Sequence, residues 1–111
     1  MWKPITLEEL STYIKPEELN DREKQLWELI KVSPEKWNEP EYGNEGGFWV
    51  VAIFGKKVIW YNDIEDGFNV SSYTSYGKID DYYCNQDELE YVLSSLHSNK
   101  PAFIRDKTEK L

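Results

Sequence analysis

Apolar and polar positions along this chain change period twice. In the first third the apolar residues fall at helical spacing: Leu19, Leu26, Trp27 and Ile30 share one stripe. Thr6 and Glu9 form a capping box, which predicts a short helix from Leu7 to about Ile14. Lys15-Pro16-Glu17-Glu18 reads as a second start, with Pro16 at the first helical position and acids in the first turn. That helix is expected to reach Lys31 or Val32. Arg22, between Leu19 and Leu26 on the stripe, is expected to lay its apolar stem along the edge. Ser33-Pro34-Glu35-Lys36-Trp37 reads as one further helical turn capped by Ser33. Asn38 to Gly47, punctuated by Pro40, Gly43, Gly46 and Gly47, reads as a loop.

The pattern then turns to strands. Phe48-Trp49-Val50-Val51-Ala52-Ile53-Phe54 is apolar on both faces and predicts a central strand, with Gly46-Gly47 giving a tight lead into it. Gly55-Lys56-Lys57 turns the chain, and Val58 to Asn62 returns as a hairpin partner. Asp63-Ile64-Glu65-Asp66-Gly67 is the next turn, where Gly67 is expected to take positive φ. Phe68 to Tyr73 predicts a third, more polar strand near an edge, and Ile79 to Cys84 a short fourth one. Asn85 with Glu88 reads as the cap of a last helix, whose apolar face is Leu89, Val92, Leu93 and Leu96 and which Asn99 and Pro101 end. The expected architecture is a single α+β domain over residues 1–111: N-terminal helices, a three- to four-stranded antiparallel β-meander and a C-terminal helix.

Charge sharpens the picture. The net charge is −8, and it is concentrated. Between Val58 and Tyr91 stand Asp63, Glu65, Asp66, Asp80, Asp81, Asp87, Glu88 and Glu90, against the lone base Lys78. Nucleic-acid binding is disfavoured, because phosphate contacts need clustered Lys and Arg. An anionic membrane surface is disfavoured likewise, and no apolar run has transmembrane length. The N-terminus lacks a signal-peptide core and Cys84 is the only cysteine, so the cytoplasm is the expected location, without an intrachain disulfide.

Catalytic and metal patterns are weak. His97, the only histidine, sits at the far end of the last predicted helix, roughly 18 Å from Cys84 at helical rise, so the two form no dyad. One Cys and one His build no zinc site. Aligning Gly67 with the glycine of a calcium loop puts Ile64 at a ligand position and Tyr73 where a bidentate Glu belongs, so that match fails. Asp80-Asp81 and Glu65-Asp66 are adjacent pairs, and neighbours on a strand point to opposite faces, which denies either pair the geometry of a glycosidase. Phosphate-loop and dinucleotide fingerprints do not occur. The chain is therefore expected to use no cofactor and to catalyse nothing.

Aromatics divide by position. Trp49, Trp60, Phe48, Phe54 and Phe68 belong to strands and read as core. Tyr73, Tyr76, Tyr82 and Tyr83 lie beside turns and acids, and tyrosine offers rigid contact area with a polar tip. The leading expectation is a surface that grips a basic protein. Asp63, Glu65, Asp66, Asp80 and Asp81 supply charge, and Tyr73, Tyr76 and Tyr82 supply anchors. The free chain is expected to be a monomer. The alternatives are a small-molecule site or hydrolase domain for a carbohydrate or cation in an aromatic, carboxylate-lined cleft, or a homodimer built on a sheet edge.

Gly47 to Ile53, Trp60 to Phe68 and Tyr83 to Leu89 carry a resemblance to small uncharacterised bacterial proteins. In size, acidity and helix–sheet order the chain resembles immunity proteins of bacterial toxin systems, including those of contact-dependent growth inhibition. That resemblance implies a non-enzymatic inhibitor, or antitoxin, that binds and blocks one cognate toxin domain, often a nuclease. It covers about half the chain, rests on organisation, and assigns no residue a role.

Overall fold

Thr6 opens the first helix as its sequence implies. Its hydroxyl accepts from the Glu9 N–H at 3.1 Å, and the Glu9 carboxylate accepts from the Thr6 N–H at 2.8 Å. The computed structural model describes residues 3–96. Helix α1 (Leu7–Ser11) is shorter than expected, because the Thr12, Tyr13 and Ile14 N–H groups each bond three residues back and tighten the exit. The expected second helix is broken in two. Pro16–Glu18 forms one 3₁₀ turn, Leu19 and Asn20 are extended, and α2 (Asp21–Ile30) starts afresh. Asn20 is the reason: its Oδ1 accepts from the Glu23 N–H at 2.8 Å while Glu23 accepts from the Asn20 N–H at 3.0 Å. A second capping box competes successfully with helix continuation.

Lys31 is already extended, so α2 runs directly into strand β1 (Lys31–Glu39). This corrects the helical turn expected at Ser33 to Trp37. Pro34 is tolerated because β1 is an edge strand and the register slips between Lys31 and Glu35. Strand β2 (Gly43–Phe54) begins inside the expected loop. β3 (Lys57–Asn62) and β4 (Gly67–Ser72) follow in an antiparallel sheet of order β1-β2-β3-β4. The apolar run 48–54 is central, as its two apolar faces imply. A register shift between Val50 and Ala52 puts Val51 and Ala52 on the same side. With helix α3 (89–96), the fold is α+β: helices, four antiparallel strands, helix.

α1, α2 and α3 cover one face of the sheet. Leu10, Trp27, Ile30, Leu89, Val92 and Leu93 pack there on Val51, Ile59, Tyr61 and Phe68. The other face holds Trp37, Phe48, Val50, Val58 and Trp60, and is covered by the irregular segment 73–88, here called the strap. Ile79 is its buried plug. The strap contains no fourth meander strand at Ile79 to Cys84: its backbone makes isolated bridges, Lys78 with Asn38 and Asp87 with Phe68, and side chains supply further ties. Asn69 accepts from the Asn85 N–H at 2.9 Å and donates to the Asn85 carbonyl at 3.0 Å. These bonds fix the Asn85 backbone on β4, and α3 starts only at residue 89, too far along the chain for Asn85 to cap it.

The Ile79 N–H bonds the Asn38 carbonyl of β1 at 2.8 Å, and the Asp80 N–H bonds the Ser72 carbonyl of β4 at 3.0 Å. Adjacent residues advance about 3.8 Å, so those carbonyls lie within roughly 10 Å of each other. Three flat strand spacings would separate the edges by roughly 14 Å. The sheet is therefore curled, and the strap bridges its two edges.

The positive φ of the β3–β4 turn belongs to Asp66, at 62°, not to Gly67. Gly67 is needed for a different reason: a Cβ there would lie 2.3 Å from Gln86 Cα. No helix among the described residues is long and apolar enough to cross a membrane. His97, Asn99 and Pro101 lie outside the described residues.

Candidate functional site

Asn62, at the end of β3, organises the acidic turn. Its Oδ1 accepts from the Ile64 and Glu65 N–H groups at 3.0 and 3.1 Å, folding residues 63–66 back on themselves. Asp63 leaves the surface in this arrangement. It is 9% exposed, and its Oδ2 accepts from the Ile5 N–H at 2.9 Å. With the Trp49 indole donating to the Ile5 carbonyl at 3.1 Å, it pins the segment before α1 to the sheet. Glu65 is half-buried and Asp66 is exposed.

The other candidate residues lie on the strap. Tyr82 is half-buried against Phe48 and Trp60, with its ring 4.4 Å from that of Tyr42. Burial pushes its hydroxyl pKa upward against the opposing pull of the Asn62 bond, and the charge of Glu65 adds to the rise. Tyr73 is half-buried, edge-on to Trp37, and donates to the Gly55 carbonyl at 3.1 Å. Tyr76 is 66% exposed; its ring lies 4.8 Å from Trp37 and its hydroxyl donates to Glu35 at 2.6 Å. The Tyr76 hydroxyl and the Trp37 indole together hold the Glu35 carboxyl below its ordinary range. Asp80 accepts from the Thr74 hydroxyl at 2.8 Å, and Asp81 from the Ser72 N–H at 3.3 Å.

These residues form two groups. Glu65, Asp66 and Tyr82 gather at the turn end of the β3–β4 hairpin. Asp80, Asp81, Tyr73 and Tyr76 gather at the other end, where Lys57 pairs with Ser72. Asn62 and Lys57 are five residues apart on β3, roughly 17 Å at strand rise. At that far end Lys57 reaches the Ser72 hydroxyl at 3.3 Å and Lys56 lies 6.0 Å over the Tyr73 ring. Positive charge therefore dilutes Asp80 and Asp81 at this end.

The turn end opens a cleft of about 250 Å³. Among the described residues, Asp66, Asp87, Glu88, Glu90 and Glu18 line it with Lys15 as the single base. Tyr13 and Tyr61 form its aromatic wall, stacked at 5.1 Å and 15°. Tyr61 is buried, and burial, then the neighbouring Tyr13 and the Asp66 charge, drives its pKa far up, so it stays a neutral phenol. The three acids at 87–90 were visible as charges in the sequence. The pairing of Tyr13 with Tyr61 was not, since nothing in local spacing relates a helix exit to a strand 48 residues on. A larger groove of about 590 Å³ lies between β4 and α3, with Asp87 the one carboxylate among the described residues that line it.

Among the described residues no group of three or more His, Cys, Asp and Glu is arranged to hold a metal. Cys84 is exposed. Comparison with protein-family models, with curated proteins and with solved structures gives no match.

Proposed function

We propose that this chain is a non-enzymatic binding protein of the immunity or antitoxin kind, which neutralises a basic partner domain by docking the acidic turn end of its β3–β4 hairpin. The observation that carries the reading is the cleft itself: among the described residues, five carboxylates against one lysine, around two stacked tyrosines. Carboxylates in a concave, partly apolar setting focus negative potential and draw a cationic partner. Their oxygens stand in for the phosphates that a basic nuclease cleft accepts. Asp63 serves the fold in this reading, and Asp80, Asp81, Tyr73 and Tyr76 form a weaker second contact along the strap.

Cleft size favours a protein partner. Its volume of about 250 Å³ lies below the ~300–1,000 Å³ of ordinary small-molecule sites. It suits one arginine or lysine side chain inserted from a partner, with the tyrosine wall adding cation–π attraction. Capture on the immobilised chain, run beside the variant Asp66→Asn/Glu88→Gln/Glu90→Gln, tests the proposal. A basic protein retained by the native chain and released by the variant supports it. Equal retention on both, or no protein retained on the native chain, overturns it.

The same stacked tyrosines favour a second reading, a small organic cation as ligand. Titration with choline and spermidine, read at the Tyr13 and Tyr61 ring resonances, separates the two. Saturable shifts at submillimolar concentration support the small ligand.

A further inference from the structure

We infer that Asn62 locks the acidic turn and the strap into one unit, so that the two acid-bearing segments hold a fixed relation to each other. Asn62 is fully buried. Its oxygen takes the Ile64 and Glu65 N–H groups of the turn. Its nitrogen donates to the Tyr82 hydroxyl at 3.0 Å and to the Tyr83 carbonyl at 2.9 Å, both in the strap. A primary amide offers two protons and two acceptor sites, and all four are in use.

Coupling follows from the planarity of the amide. Donor and acceptor ends are held in one rigid group, so the side chain cannot turn to serve the strap without withdrawing from the turn. In a buried setting each lost bond leaves a polar atom without water, which makes partial satisfaction costly. Aspartate at 62 has no protons to give the strap, and serine has one. Both are common in turns, but neither joins two segments in this way. The turn alone needs only the acceptor end; the donor end is what the strap adds.

The coupling stands on the fold alone. Its meaning for binding rests on the reading of the turn as a docking surface: a partner seated on Glu65 and Asp66 then also meets the strap in its bound arrangement, with less ordering left to do.

Amide hydrogen exchange on the full chain tests this without any partner. Tyr82→Phe removes the hydroxyl that accepts from Asn62 and keeps the ring against Phe48 and Trp60. The Ile64 and Glu65 amides make no bond to Tyr82, yet they are expected to exchange several-fold faster in this variant. Tyr73→Phe, which removes the strap's bond to Gly55, is expected to leave them unchanged. Wild-type exchange at Ile64 and Glu65 in Tyr82→Phe overturns the inference. So does an equal rise in Tyr73→Phe, or an equal rise at Ile59 in mid-β3, since either marks general loosening. Because no partner enters, failure here is distinct from failure of the docking proposal.

Discussion

Glu39 shows how much one side chain does in this fold. It is 2% exposed, and its carboxylate accepts from the Glu41, Tyr42 and Gly43 N–H groups at 3.1, 2.6 and 3.1 Å. It closes the β1–β2 turn where glycine and proline alone suggested an open loop. Glu39→Ala strands those donors and is expected to cost on the order of 2 kcal/mol in urea unfolding, with Glu39→Gln losing less. A neutral alanine variant would refute that role. Gly67 makes a second case. Alanine there drives its Cβ into the Gln86 backbone, and the expected loss is again on the order of 2 kcal/mol. The turn signal at Gly67 was legible in the sequence, but its cause was not: the strap that crowds it arrives from residues 85–87.

Elements with local causes were the legible ones. The Thr6 box, the central strand at 48–54, the β2–β3 hairpin and the face Leu89, Val92, Leu93 all follow from short-range pattern. Asn20 was equally readable, since Glu23 stands three residues on, but Pro16 offered a competing start. Asn20→Ala is expected to lower stability by about 1 kcal/mol, while Pro16→Ala, outside α2, changes little; calorimetry distinguishes them. β1 was not legible because Pro34 argues against a strand unless the strand is known to be an edge. The strap was hidden for a similar reason: its anchors Asn38, Asn62, Asn69 and Glu35 are distant in sequence. Its Glu35–Tyr76 contact predicts a pH response. The Glu35 carboxyl is held below its ordinary range by bonds to its charged form. That stabilisation is full above the ordinary carboxylate pKa and is lost as pH falls through the lowered value. The Trp37 indole proton, which Glu35 accepts at 2.8 Å, should shift with a midpoint below the usual glutamate range near 4.3. Glu35→Gln should abolish that titration. A midpoint at or above the usual range contradicts the bond.

Across the whole molecule, the acid-rich stretch from Val58 to Tyr91 is folded into two places rather than one. Asp80 and Asp81, at the far end of the hairpin, share their surroundings with Lys56 and Lys57. Those at the turn end surround the Tyr13–Tyr61 wall beside Lys15. The negative segment itself was plain in the sequence. Its division was not, because that depends on the sheet curling and on the strap crossing from one edge to the other. Of the acids that seemed best placed by sequence, Asp63 is committed to the Ile5 backbone, and Asp87, Glu88 and Glu90 take the more favourable position. The proposed function requires that this end of the hairpin draw a cationic partner. The most direct measurement is the association rate of the captured basic protein as ionic strength rises, for the native chain and for Asp66→Asn/Glu88→Gln/Glu90→Gln. Steering by the cleft predicts a native rate that falls by about tenfold or more from low to high salt, and a variant that is slower at low salt with a flatter slope. Identical rates and slopes for the two proteins would contradict it.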